Sequence, residues 1–232
     1  MKEIISGITW LLGQGFDSNV YIIESNQEIL MIDSGAGKLL NQRFQTNTQS
    51  SELLKKVVEK KGITKFCFTH GHIDHIGGLL SLQPHPEWEI SASVFEAEQL
   101  AAGNNSYLDP ILSSDCQPLT VTSLLREGDI INVGKFSFEI METPGHTKGS
   151  IILYERMKKI LISGDTLFPQ GSFGRTDLPS GSSKELLDSL KRISDLEILI
   201  LLPGHMPPVI SATSIDSAKS SFRNAKSMLF NY

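Results

Sequence analysis

Three histidines and an aspartate fall within six residues, His70-Gly-His72-Ile-Asp74-His75, directly after the strand-like run Lys65 to Phe68. Ionisable groups packed this densely are costly to bury without partners, so the chain must fold in a way that gathers them around something that repays their desolvation. Imidazole and carboxylate are the ligand types that suit Zn, Fe(II), Mn or Co. A strand end is also where rigid scaffolds present functional loops. The cluster therefore reads as a metal site placed at the end of a strand.

The remaining histidines divide cleanly. His146 and His205 both follow Pro-Gly turns, in Thr-Pro-Gly-His-Thr and Leu-Pro-Gly-His-Met, and each turn follows an apolar strand candidate, Phe136 to Met141 and Ile198 to Leu202. Glycine before a ligand lets the backbone approach closely. His85, between Pro84 and Pro86, has no such setting and reads as a surface-loop residue. Asp165, in Ile-Leu-Ile-Ser-Gly-Asp-Thr-Leu-Phe, is delivered by a Ser-Gly turn after another apolar run. Alone it reads more as a turn or cap residue, because Asp readily bonds nearby backbone amides.

Taken in order, His-x-His-x-Asp-His, Pro-Gly-His-Thr, Gly-Asp-Thr-Leu-Phe and Pro-Gly-His resemble the metallo-β-lactamase superfamily. The resemblance runs from the Met31-Ile32-Asp33-Ser34-Gly35 strand and turn to His205, and four separated motifs agree in type and order. It implies an α/β fold of the four-layer αββα sandwich type, with the metal site at one edge, over a single domain spanning residues 1–232. Matched residue by residue, it implies that His70, His72 and His146 hold one metal, that Asp74, His75 and His205 hold a second, and that Asp165 bridges. It implies two divalent ions, zinc foremost with iron or manganese as alternatives, and a metal-bridging hydroxide as nucleophile. Asp74 and Asp165 are the expected catalytic carboxylates, Asp74 serving as general base if the second metal is missing.

Composition agrees with a small-molecule enzyme. An apolar content of 40% is ordinary for a globular protein, and a net charge of −5 argues against a generic nucleic-acid binder. The longest apolar stretch, Leu196 to Pro203, is strand-sized and broken by Glu197, so no membrane span is expected. Met1-Lys2-Glu3 opens no cleavable signal pattern, which favours a cytoplasmic setting. Cys67 and Cys116 form no Cys-x-x-Cys pair, and Cys67 reads as a small core residue. The basic run Arg156, Lys158 and Lys159, between strand candidates Ser150 to Tyr154 and Ile160 to Ser163, reads as a solvated hairpin tip. Oligomeric state is not legible.

Runs at Ile4 to Leu11, Val20 to Glu24 and Ile29 to Asp33 predict an opening antiparallel meander. A helix is expected over Ser51 to Lys61, with Leu53, Leu54, Val57 and Val58 on one face and Gly62 ending it. A strand at Glu89 to Ala92, a helix near Val94 to Ala102 and a polar loop come next. Later helices are announced by Ser182 with Glu185 and by Thr213 with Asp216. Gly77 and Gly78 read as letting the ligand loop enter a helix. Asp33 reads as a support for the metal loop or a ligand imidazole, or equally as a turn cap. Arg175 with Asp177 reads as a buried ion pair.

Within the superfamily, class B β-lactamases commonly have cysteine where Asp165 stands and lack the histidine matching His75; flavodiiron reductases have glutamate in place of His72. The segments Ser163 to Phe168 and Gly174-Arg175-Thr176-Asp177 resemble the glyoxalase II branch, the hydroxyacylglutathione hydrolases. The expected activity is thioester hydrolysis, with a mono-iron persulfide dioxygenase, a lactone or ester hydrolase and, last, a non-catalytic metal-binding protein as alternatives. Members that grip glutathione carry a helical C-terminal domain, whereas 27 residues follow His205 here, and Lys219, Arg223 and Lys226 on them read as one face of an amphipathic surface helix. A weak hold on the glutathione moiety is the expectation that follows.

Overall fold

Short alternating or continuously apolar runs, separated by Gly, Asn and Asp, make this chain a succession of strands, and helices appear where the apolar period lengthens to three or four. The computed structural model describes residues 1–13, 15–37, 48–111, 116–210 and 213–230. It divides into two compact units, Met1–Leu125 with Asn132–Phe136, and Arg126–Ile131 with Ser137–Tyr232. Among the described residues no helix is long and apolar enough to cross a membrane.

The first sheet has seven strands in sequence order: β1 Lys2–Ile5, β2 Ile8–Leu11, β3 Val20–Ser25, β4 Glu28–Ile32, β5 Lys65–Cys67, β6 Glu89–Ser93 and β7 Ser123–Leu125. β1 to β4 form the expected antiparallel meander, and β4 to β7 run parallel. The run Ile4 to Leu11 is not one strand, because the chain turns back at Gly7, whose φ of +94° suits glycine. Helix α1, Thr48–Lys61, buries Leu54, Val57 and Val58 in the first unit's core, together with Ile22, Met31, Phe66, Ile76 and Leu79. Leu53 departs from the expected face and is 41% exposed. The helix closes as its C-terminal glycine predicts: Gly62 adopts φ +64°, and the Ile63 amide donates to the Val58 carbonyl at 3.0 Å.

Helices α2, Ile73–Leu82, and α3, Val94–Ala102, follow β5 and β6, each starting at a strand end. The polar loop expected after α3 holds a further turn of helix, α4 Asn105–Leu108, too short to show a period in sequence. Residues 112–115 of that loop lie outside the described residues.

The second sheet runs β13-β12-β11-β10-β9-β8, with β8 Ile130–Val133, β9 Phe136–Glu142, β10 Ile151–Glu155, β11 Ile160–Gly164, β12 Ile200–Pro203 and β13 Val209–Ile210. β10 and β11 form an antiparallel hairpin. Its tip carries the basic run, engaged by carboxylates: Arg156 meets Glu139, Lys158 meets Glu155 and Lys159 meets Glu197. β11 and β12 are parallel, and helix α5, Ser183–Ser194, lies between them in sequence. Ser182 caps it by accepting from the Glu185 amide at 3.3 Å. Leu186, Leu190 and Ile193 of α5 join Ile152, Leu161 and Leu201 in this unit's core. Helix α6, Thr213–Phe230, buries Ser221 and Ala225 and exposes Lys219, Arg223 and Lys226, as expected of a surface helix. The side chains of the capping signature at Thr213 and Asp216 lie outside the described residues.

Candidate metal centre

In the first unit, β5 delivers His70 and His72 at its end, and α2 begins at once, placing Asp74 and His75 in its first turn. His70 and His75 are fully buried, His72 nearly so, and the Asp74 side chain is 24% exposed. His70 Nε2 lies 3.2 Å from His72 Nδ1. Two nitrogens each about 2.05 Å from a tetrahedral first-row ion would stand about 3.3 Å apart, so this pair has the spacing of one edge of a coordination shell. His75 Nε2 and Asp74 Oδ2 are 3.8 Å apart.

What orients these rings is Asp33, at the end of β4, with a left-handed φ of +56°. Its Oδ1 accepts the Thr69 amide and its Oδ2 the Thr69 hydroxyl, both at 2.9 Å. His75 Nδ1 donates to the same Oδ2 at 2.8 Å. A carboxylate only accepts, so the His75 proton is held on Nδ1 and Nε2 keeps its lone pair for a metal. Asp33, expected to support either the loop backbone or an imidazole or else to cap a turn, bonds both the Thr69 amide and the His75 ring.

Gly77 and Gly78 do something other than ease a loop into a helix. They lie inside α2, where a Cβ on Gly77 would stand 2.2 Å from the Ala36 carbonyl oxygen and one on Gly78 1.9 Å from that of Ser34. Their role is to let the helix lie directly on the loop after β4. Hydrogen bonds fasten that contact, Ser34 donating to the His75 carbonyl at 2.6 Å and Gly78 to that of Gly35 at 2.8 Å, and Ser18, just before β3, donates to the Asp74 carbonyl at 3.0 Å.

In the second unit three strand ends converge. His146 leaves the turn after β9, Asp165 follows β11, and His205 follows β12. The Gly204 amide donates to the Gly164 carbonyl at 2.8 Å, tying the last two together. Asp165 Oδ2 lies 3.7 Å from His146 Nε2 and 3.5 Å from His205 Nε2, so one carboxylate oxygen faces two imidazole nitrogens. His146 is fixed from behind, its Nδ1 donating to the Arg175 carbonyl at 2.8 Å, which again leaves the Nε2 lone pair available to a metal. Gly174 allows that approach, since a Cβ there would stand 1.9 Å from the Asp165 carbonyl oxygen.

Arg175 therefore acts through its backbone, which sequence cannot reveal. Its side chain pairs with Asp177 at 2.7 and 2.6 Å, but the pair is exposed, 54% and 68%, and not buried as its residue types suggest. The guanidinium's hydrogen bonds lower the Asp177 pKa to about 2. His85 is exposed, its Nδ1 accepting from the Glu87 amide. Cys67 is buried as expected, and burial pushes its thiol pKa well up.

The first unit thus carries His70, His72, Asp74 and His75 and the second His146, Asp165 and His205, every one of them a side chain whose donor atom could ligate a metal. A family model of the metallo-β-lactamase superfamily matches residues 13–205. The chain belongs to that superfamily. It is 33% identical over 192 residues to the hydroxyacylglutathione hydrolase GloC of Haemophilus influenzae, covering 77% of this chain and 85% of the relative. The acyl-coenzyme A thioesterase MBLAC2 of Homo sapiens is 26% identical over 230 residues, covering 88% and 80%. Among solved structures, the BLEG-1 B3 metallo-β-lactamase superposes with a TM-score of 0.68 at 26% identity, covering 90% of this chain and 96% of that one. The α/β class and the metallo-β-lactamase fold implied by the sequence motifs are both borne out.

Proposed function

We propose that this protein is a metal-dependent thioester hydrolase, working as one domain over residues 1–232. His70, His72 and His146 hold one ion in this reading, Asp74, His75 and His205 a second, and Asp165 serves both. The observation that carries it is Asp165, whose Oδ2 faces His146 and His205 at nearly equal distances, as a shared ligand should. The substrate class is supported by two relatives from distant organisms, named as a hydroxyacylglutathione hydrolase and an acyl-coenzyme A thioesterase, both of which cleave thioesters.

Two divalent ions, zinc foremost, would when bound polarise the thioester carbonyl and make water nucleophilic near neutral pH. The chain's part is to hold that arrangement. Asp33 and the Arg175 carbonyl fix the tautomers of His75 and His146, so that neither ring has to reorganise during turnover. Asp74, the less enclosed of the first unit's site carboxylates, would accept the proton of the attacking water at Oδ2 where only one ion is bound.

The test is metal analysis of protein purified without chelator, followed by assays on glutathione and coenzyme A thioesters, a lactone, a chromogenic cephalosporin and, with an oxygen electrode, a persulfide. Thioester hydrolysis that a chelator abolishes and divalent metal restores is the expected outcome. Turnover confined to the cephalosporin, or oxygen uptake with the persulfide, would replace this reading with β-lactam hydrolysis or persulfide oxidation.

A further inference from the structure

A fully buried carboxylate belonging to neither the ligand set nor its known supports lies behind the first two histidines. Glu96, on α3, is 0% exposed, and Tyr107, on α4, is 3% exposed. The Tyr107 hydroxyl lies 2.6 Å from both Oε1 and Oε2 of Glu96. Burying a carboxylate costs several kcal/mol unless strong donors meet it, so a chain that keeps one in its interior constrains something with it.

That something is the backbone between His70 and His72. A Cβ on Gly71 would stand 2.5 Å from Glu96 Oε2, 3.4 Å from Tyr107 Cε1 and 3.5 Å from Leu108 Cδ2. The loop therefore lies directly on the Glu96–Tyr107 pair, with no side chain between. The Tyr107 ring also stands 5.8 Å from the His72 ring, centroid to centroid, and is held edge-on by Phe95 at 5.6 Å. One phenol thus touches the carboxylate, the glycine and the neighbourhood of the second histidine.

We infer that Glu96 and Tyr107 are positioning residues for the metal loop: the pair presses on Gly71 and holds His70 Nε2 and His72 Nδ1 at the separation one ion requires. The inference rests on the metal-dependent reading above. Ser93 and Glu96 have the Ser-x-x-Glu spacing of a helix cap, and Ser93 does accept from the Glu96 amide, at 3.4 Å. The Glu96 carboxylate, however, takes the phenol, a partner eleven residues on.

The test is titration of the metal-free full-length chain with Co(II), whose visible bands report ligand geometry, in wild type, Glu96→Ala, Glu96→Gln and Tyr107→Phe. Glu96→Ala and Tyr107→Phe should weaken cobalt binding about 10–100-fold and change the bands, as loss of a ligand's supporting contacts does elsewhere. Glu96→Gln, which still offers the phenol an acceptor, should retain most of the affinity. A pair that merely ties α3 to α4 would lower the thermal midpoint while leaving cobalt affinity and spectrum of the folded protein unchanged, and that result overturns the inference. If Glu96→Ala does not fold, Tyr107→Phe, which removes one oxygen, decides by the same criterion. A wild-type chain that takes up no cobalt would overturn the metal-dependent reading itself, a result distinct from variants that bind as wild type does.

Discussion

Asp33 Oδ2 and His75 Nδ1 stand 2.8 Å apart, 2% and 0% exposed, so a carboxylate at the end of one strand sets the proton position of an imidazole 42 residues later. Asp33→Ala should therefore weaken metal binding about 10–100-fold, and Asp33→Asn less, because the amide oxygen still accepts from the ring. Competition with a chromogenic chelator measures both; equal affinity in all three proteins would show that the ring needs no such support.

Asp165→Ala should lower metal stoichiometry and cut hydrolysis by orders of magnitude, since the change removes the oxygen that faces His146 and His205. His85→Ala, on the exposed loop, should leave both unchanged. Elemental analysis with a rate assay checks the pair. An Asp165→Ala protein with full metal content and turnover would sink the shared-ligand assignment.

Gly78→Ala should destabilise the fold by more than about 1 kcal/mol, because the new methyl would meet the Ser34 carbonyl oxygen at 1.9 Å and backbone must move. Gly77→Ala should behave alike, with the Ala36 oxygen at 2.2 Å. Urea denaturation of the metal-free proteins reads this directly, and midpoints equal to wild type would mean the loop yields freely.

The Asp177 carboxyl has its pKa lowered to about 2, first by the Arg175 side-chain hydrogen bond. A lowered carboxylate pKa means that the pairing contributes fully above the unfolded value near 4 and is lost as pH falls through about 2. The Asp177 signal in an NMR titration should titrate near pH 2 in wild type and closer to 4 in Arg175→Ala. Overlapping curves would show that the pair does not persist in solution.

Cys67 and Cys116 are both buried, and burial raises the Cys67 thiol pKa, so thiolate is scarce at neutral pH. The folded protein should resist a disulfide reagent at pH 8 and release two thiols on unfolding. Rapid native labelling at Cys67 would contradict its burial.

The proposed ligands were legible because metal chemistry restricts residue types and turn geometry restricts what precedes them: Gly-His after an apolar run is a local signal, and the Asp165 turn shares its glycine. Asp33 was half legible, since Asp at a strand end serves equally as a turn cap, and only its pairing with Thr69 and His75 decides the matter. The Arg175 carbonyl was invisible, because every residue has one. Arg175 and Asp177 were misjudged because an ion pair's burial depends on what packs over it. Glu96 and Tyr107 escaped notice because the spacing of Glu96 imitates a helix cap and α4 is a single turn.

The bonds that join α2 to Ser18, Ser34 and Gly35 involve no ion. Asp74 and His75 are consequently placed by contacts that belong to the polypeptide alone. In small zinc-finger domains the ion organises the polypeptide, and its removal unfolds it. In this chain the backbone of Asp74 and His75 is instead bonded to Ser18 and Ser34, so removing metal is expected to leave that turn folded, which far-UV circular dichroism of the chelated protein checks.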